Sequence, residues 1–259
     1  MAGAAGLPAA RRGAPRRLVS GFPPPQVVDD LVLANHILSN EGVLDAFGHV
    51  SARHPTTPDR FLISQTRAPE LVETGDLQLL DLRGERVAGA EGRSYEEVAI
   101  HAAVYRGRSD VGAVVHSHAP SVIPFGVTGV PLRPIYHMGS VIGHEIKVWD
   151  IAQRFGETDL LVRAATEADD LAAALGGRTA VLMRGHGCVV TGADLRAAVF
   201  AAVYLERNAT LLAASLRLGE VRGLSKAETQ RASEMLRGRA GDRAWEYWVR
   251  RLPHRATNP

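Results

Sequence analysis

A chain of 259 residues, 46% hydrophobic and 22% charged, has the composition of an ordinary soluble globular protein and is long enough for one sizeable domain or two small ones. The formal net charge is only +2, and the basic excess gathers at the ends, in Arg11, Arg12, Arg16 and Arg17 and in Arg250, Arg251 and Arg255; the body lacks the basic, aromatic-studded face that nucleic-acid binding needs. The single cysteine, Cys188, excludes an intramolecular disulfide and fits a cytoplasmic location, and no apolar stretch approaches membrane-spanning length.

Residues 1–24 are rich in Ala, Gly, Pro and Arg with no apolar run, so a disordered extension is expected rather than a secretory signal. A helix follows over 26–40, with Val28, Leu31, Ala34, Ile37 and Leu38 on its apolar stripe and Gly42 to stop it. Strands are predicted at 49–53 and 61–64 about a polar turn, and a hairpin at 77–82 and 86–88. Ser94 reads as the cap of a helix carrying Glu97, Ile100, His101, Ala103 and Val104. A buried strand spans 111–116, a helix starts at Ala119, and an irregular stretch runs to Gly143. A helix from Thr166 ends at Gly176-Gly177, a strand covers 179–190, and a long helix covers 193–218. Two helical pieces close the chain, with Trp245 and Trp248 as a docking anchor. No repeat or linker splits the body, so residues 25–222 are expected to form one α/β domain, a mixed sheet wrapped by helices, and 223–259 a helical tail.

The chemistry concentrates in two places. The apolar run Val114-Val115 ends in His116-Ser117-His118, and in an extended backbone residues i and i+2 share a face, so both imidazoles can reach one ion. A second apolar run ends in Arg184-Gly185-His186-Gly187, where glycines let backbone or substrate approach. Three neutral imidazoles with an open position are the layout of a catalytic divalent-metal site. Cys188 beside them reads as a small packed hydrophobe rather than a ligand. His101, one turn after Glu97, reads as a core imidazole behind the site.

Five segments in order, Gly48-His49-Val50-Ser51, Ile63-Ser64-Gln65-Thr66, Glu97-x-x-x-His101, His116-x-His118 and Gly185-His186-Gly187, resemble the class II aldolase/adducin-head family over about residues 26–220. The resemblance implies a three-layer α/β domain whose sheet is mixed but mostly antiparallel. It implies one divalent ion per subunit, zinc or manganese, held by His116, His118 and His186, with no organic cofactor. It implies Glu97 as general acid/base, and a homotetramer with active sites at subunit borders. The sugar-phosphate aldolases of that family hold phosphate with a Gly-Asn-x-Ser segment, a Thr-Gly pair and a serine pair. Here His49 replaces the Asn, Arg67 the Gly, and Tyr95-Glu96 the serines. A ring and an anion repel phosphate where two hydroxyls would hold it, while a guanidinium fork suits a carboxylate. These departures, with Ser64-Gln65-Thr66-Arg67 and Ile135-Tyr136-His137, look like the branch that decarboxylates hydroxylated aromatic dicarboxylates, dihydroxyphthalate or a hydroxy-methylpyridine dicarboxylate. The expected activity is therefore non-oxidative decarboxylation of a hydroxylated aromatic carboxylate through a metal-stabilised enolate or phenolate. An aldolase or epimerase on a non-phosphorylated hydroxy-carbonyl compound and an oxidative decarboxylase of aromatic antibiotic pathways are the alternatives. On this reading Glu97 or His137 carries the proton, Arg67 clamps the carboxylate, and His49 and Ser64 bind and orient the substrate. Neither nucleic acid nor membrane is an expected partner.

Overall fold

The computed structural model describes residues 21–253; most of the predicted N-terminal extension lies outside them. Eight strands form one sheet in the order β4-β3-β2-β1-β5-β8-β7-β6. They are β1 (His49–Arg53), β2 (Arg60–Ser64), β3 (Leu77–Asp81), β4 (Arg86–Gly89), β5 (Ala113–Ser117), β6 (Lys147–Trp149), β7 (Ala180–Met183) and β8 (Gly187–Gly192). Every pairing is antiparallel except β6 with β7. The sheet is therefore mixed and mostly antiparallel, as expected.

Alternation along the strands divides the core in two. Val115 and Val190 face one side, with Leu31 and Ala34 of helix α1 (Pro25–Asn40) and Val199 and Ala202 of α6 (Leu195–Leu218). Val114 and Val189 face the other, with Ile100 and Val104 of α2 (Val98–Gly107) and Leu171 of α5 (Ala165–Leu175). Helices on both faces of one sheet give the three-layer arrangement. Short helices α3 (Ile123–Thr128) and α4 (Ala152–Phe155) fill the crossovers, and a 3₁₀ helix covers His137–Ile142.

Three local expectations are corrected. The strand predicted over 179–190 is a hairpin: β7 ends at Met183, β8 starts at Gly187, and His186 sits in the turn between them. Ser94 caps nothing; its hydroxyl donates to Gln78 Oε1 at 2.8 Å, and α2 begins later, with Glu97 at its N-cap. Helix α6, with 24 residues, is long and apolar enough by composition to cross a membrane, contrary to the expectation that no stretch comes close. Its apolar residues Ala198, Val199, Ala202, Val203 and Leu205 lie instead in the core beneath the sheet.

Helices α7 (Lys226–Leu236) and α8 (Arg239–Arg250) pack onto this body. Trp245 and Trp248 do anchor them, but within the same subunit: Trp248 is 1% exposed, with its ring 6.1 Å from Phe200 and 6.3 Å from Tyr204 of α6. Arg251 and Arg207 share the buried carboxylate of Glu41 at the end of α1, at 2.6 and 2.5 Å. A buried aromatic cut back to alanine costs about 3–5 kcal/mol, so Trp248→Ala should lower the urea midpoint by a corresponding amount. A loss below about 1 kcal/mol would place α8 outside the cooperative core.

Candidate metal centre and active site

The sheet register builds the site. His116 on β5 lies opposite His49 of β1 on one side and Val189 of β8 on the other. It shares the face of Val114, the face covered by α2, and His118 follows one step beyond the strand end. At the start of α2, Glu97, His101 and Tyr105 recur every fourth residue, which stacks them in one stripe. His186 enters from the β7–β8 turn. Gly185 adopts φ +67°, and a Cβ at Gly187 would collide with the Ser117 carbonyl oxygen, so both glycines are required to bring the turn against β5.

The three histidine rings meet with centroids 4.9–5.2 Å apart. Each has its Nδ1 edge occupied. His116 Nδ1 donates to the Cys188 carbonyl at 3.2 Å and His186 Nδ1 to the Leu160 carbonyl at 3.0 Å, while His118 Nδ1 lies 3.6 Å from the Asp45 carboxylate. A carbonyl can only accept, so Nδ1 carries the proton in the first two and the Nε2 lone pair is free. All three Nε2 atoms are buried without a hydrogen-bond partner. Glu97 Oε2 lies 3.4 Å from Nε2 of His116 and 3.5 Å from that of His186, and these four donor atoms all fall within 4.8 Å of one another. Four ligands at about 2.1 Å around a tetrahedral ion would be separated by about 3.4 Å. Converging buried lone pairs, each ring oriented from behind, fit a divalent cation.

The charges agree. Burial, then the neighbouring His116 and His186, lowers the pKa of His118, which keeps it neutral. Burial opposes charge on Glu97, but a hydrogen bond from His116 or His186, whenever either ring carries a proton on Nε2, outweighs it and holds the carboxyl well below its ordinary range. Burial also opposes charge on Asp45, yet the Phe47 N–H, the His118 ring and the Gly48 N–H keep it a carboxylate. Cys188 is no ligand: burial pushes its thiol up to about 12, and its sulfur contacts Ser117 Oγ at 3.3 Å.

A cavity of about 660 Å³ opens over the cluster, lined by Phe47, His49, Arg93, Tyr95, Glu97 and His186 among others. Of the substrate-binding residues expected from sequence, only His49 lines it. Ser64 is 1% exposed and its hydroxyl is tied to Tyr95 Oη at 2.9 Å. Arg67 lies outside the lining because its Nε donates to the Leu71 carbonyl and lies 3.3 Å from Asp76, within its own loop. His137 is exposed and does not line the cavity of its own subunit. Sequence reasoning missed Asp45, Arg93 and the segment 159–162. In that segment Leu160, in the left-handed region at φ 70°, orients His186 through its carbonyl, and the Val162 N–H donates to Glu97 Oε1 at 2.9 Å. Nothing in the local sequence marks Leu160 for a conformation that favours glycine.

A model of the class II aldolase and adducin N-terminal domain matches residues 29–213. The chain belongs to this family. Among curated relatives, the decarboxylase tropJ of Talaromyces stipitatus is 32% identical over 245 residues, covering 84% of this chain and 90% of that protein. A 3,4-dihydroxyphthalate decarboxylase of Arthrobacter keyseri is 30% identical over 206 residues, covering 76% and 80%. An aldolase II superfamily protein of Pseudomonas syringae shares the fold, with TM-score 0.75, 21% identity and coverage of 90% and 93%. These class II relatives support an enzyme of the lyase type, decarboxylase or aldolase.

Two outcomes are expected. His116→Ala, His118→Ala or His186→Ala should each strip most of a bound divalent ion, measured by elemental analysis; full occupancy in His186→Ala would remove it from the ligand set. Second, burial lowers the pKa of His101 from 6.5 to about 3. Between those values the unfolded chain takes up a proton that the folded one refuses. Metal-free protein should therefore lose stability as pH falls from 6.5 towards 3, by about 1.4 kcal/mol per pH unit for this one group, with no contribution from it above 6.5. Urea titrations of wild type and His101→Asn check this; equal slopes in that window would contradict it.

Proposed function

We propose that this protein is a divalent-metal-dependent, non-oxidative decarboxylase of a hydroxylated aromatic carboxylate. The observation that carries the reading is the corner of the cavity where the aldolases of the family hold phosphate. Tyr95 fills it, its hydroxyl bound to Ser64 Oγ and to the Arg67 carbonyl at 2.6 Å, and Glu96 adds a carboxylate paired with Arg163 at 2.7 Å. With the Tyr95 and Ser64 hydroxyls already engaged and an anion beside them, this corner favours a phosphate less than a pair of free serine hydroxyls would. The two decarboxylases described above point the same way.

In this reading His116, His118 and His186 hold the ion, zinc or manganese, and Glu97 lies within reach as a fourth oxygen ligand. Such an ion supplies Lewis acidity to two vicinal substrate oxygens when bound. Loss of carbon dioxide leaves an electron pair on the ring carbon, and a proton must be delivered there. Glu97 is the proton carrier where it is not itself a ligand: its Oε1 is fixed by the Val162 N–H, and as a carboxylate its Oε2 takes the proton a substrate hydroxyl releases on binding and returns it to the ring carbon. Arg93 takes over the carboxylate clamp expected of Arg67. It lines the cavity and, among the described residues, has no ion-pair partner. His137, exposed and outside its own subunit's cavity, is assigned to a neighbouring subunit's site. Its exposure, and that of Phe47 at the cavity mouth, 70% exposed, suit a homotetramer with sites at subunit borders.

Metal-loaded protein should release carbon dioxide from a panel of hydroxyphthalates and hydroxypyridine dicarboxylates, and should release no aldehyde from fuculose or ribulose phosphates. Efficient cleavage of either sugar phosphate would return the chain to the aldolases. Arg93→Met should lower kcat/KM by roughly 2–5 kcal/mol of transition-state binding with metal content unchanged, whereas Arg67→Met should act only through its loop.

A further inference from the structure

Four imidazoles face this site, and their hydrogen bonds divide them into two kinds. His49 lines the cavity, but its partner is opposite in sense to those of the three metal-facing rings. His49 Nδ1 meets His101 Nε2 at 2.7 Å, His101 Nδ1 meets Ser51 Oγ at 2.6 Å, and Ser51 Oγ meets Tyr105 Oη at 2.8 Å. All four side chains are buried, His101 and Ser51 at 0% exposure. The spacing explains the row: His49 and Ser51 share a face of β1, and His101 and Tyr105 are one turn apart on α2 above it.

A chain of single-proton links can run in only two directions, and its far end chooses between them. The buried Tyr105 hydroxyl has one hydrogen-bond partner among the described residues, Ser51 Oγ, so its proton has no other acceptor. If the chain ran outward from His49, the Tyr105 proton would be a buried donor with no acceptor, which folded proteins avoid. Run inward, every group is satisfied: Tyr105 donates to Ser51, Ser51 to His101 Nδ1, and His101 Nε2–H to His49 Nδ1. A neutral His49 then carries its proton on Nε2, the edge left to the cavity.

We propose that the Tyr105–Ser51–His101 row locks His49 as an Nε2–H donor, which excludes it from the metal's ligands and makes it a recognition residue for a substrate carboxylate. The three metal-facing histidines have acceptors behind them and offer lone pairs; His49 has a donor behind it and offers a proton. Two neutral imidazoles with opposite tautomers can thus sit side by side, His49 and His116 with centroids 5.0 Å apart, without competing for the ion. His101, Ser51 and Tyr105 are positioning residues and touch no substrate. The tautomer assignment stands on the hydrogen bonds alone; the carboxylate assignment rests on the decarboxylase reading above.

The two parts are tested separately. Long-range proton–nitrogen correlation on the full chain with isotope-labelled histidine reads the tautomers directly. His49 and His101 should show a protonated Nε2 and His116 and His186 a protonated Nδ1, and zinc addition should shift the latter pair while His49 keeps its pattern. Ser51→Ala, which removes the donor to His101, should mix the two tautomers of His49; a merely structural serine would leave them alone. A proton on Nδ1 of wild-type His49, or a zinc-induced shift of its Nε2 like those of the ligands, would overturn the assignment. For recognition, the probes are protocatechuate and catechol, which share vicinal hydroxyls and differ by one carboxylate. By calorimetry on zinc-loaded protein, His49→Leu should lose roughly tenfold or more of the preference for protocatechuate, and His49→Gln, which keeps an N–H donor, should retain part of it. An undiminished preference in His49→Leu would refute carboxylate recognition while leaving the tautomer result intact. Absence of carbon dioxide release with both results as expected would fault the decarboxylase reading instead.

Discussion

Three imidazole nitrogens buried without a hydrogen donor, and aimed at one point, are the constraint around which the rest of this structure is organised. An isolated buried acceptor is costly, and three together are tolerated only if a cation meets them or the fold holds them there. The holding is done from behind. The Cys188 and Leu160 carbonyls and the Asp45 carboxylate each take one ring edge, and each comes from a different segment. The β5–β8 register places Cys188 beside Ser117, the turn glycines bring His186 to the end of β5, and Leu160 holds its carbonyl at a backbone angle that leucine rarely adopts. The strain at Leu160 and the orphaned lone pairs are two parts of one arrangement, and both belong to the site rather than to the stability of the fold.

Electrostatics keep the cluster ready for an ion. A histidine binds metal only when neutral, and packing imidazoles together in a dry place suppresses protonation of each. His49, His101 and His118 are all depressed, first by burial and then by neighbouring histidines. Glu97, and Asp45 behind His118, oppose them as the carboxylates in their midst. The price of this readiness is acid sensitivity, because a chain that refuses protons when folded accepts them when unfolded.

Much of this was legible in the sequence because it rests on short-range periodicity. His116 and His118 share a face by the two-residue repeat of a strand. Glu97 and His101 share one by the helical repeat. The order of strands and helices followed from apolar runs and their stops. What was not legible depends on which segments come together. The His186 turn was hidden because Thr179 to Val190 is apolar on both sides of it, and a hairpin inside a doubly covered sheet shows no alternation. Arg67 looked like a clamp from its place after Thr66; only the folded loop shows Asp76 and the Leu71 carbonyl taking its Nε. Arg93, Asp45 and Leu160 carry no local signature, since their roles come from residues dozens of positions away. The partner behind each histidine, which decides what that histidine can do, is a tertiary property.

On the proposed reading, the division between the metal-facing cluster and the corner beside it suggests how one scaffold can serve different bond cleavages. The cluster needs only to stabilise electrons left behind on an oxygenated carbon skeleton, and that demand is the same whether an aldehyde or carbon dioxide departs. Selectivity is then set by what holds the rest of the substrate. In this chain the change lies at few positions. Tyr95 closes a corner by bonding to Ser64, Glu96 ties the segment 159–163 to the residues just before α2 through Arg163, and His49 lines the cavity. Each substitution uses a frame already present. Ser64 and Ser51 are strand residues whose hydroxyls need partners in any case; Tyr95 and His101 supply them, and the rings of His49 and Tyr95 border the pocket beside the cluster. A flat aromatic acid matches such walls better than a flexible sugar phosphate, because stacking surface is useful only to a ligand with a face of its own.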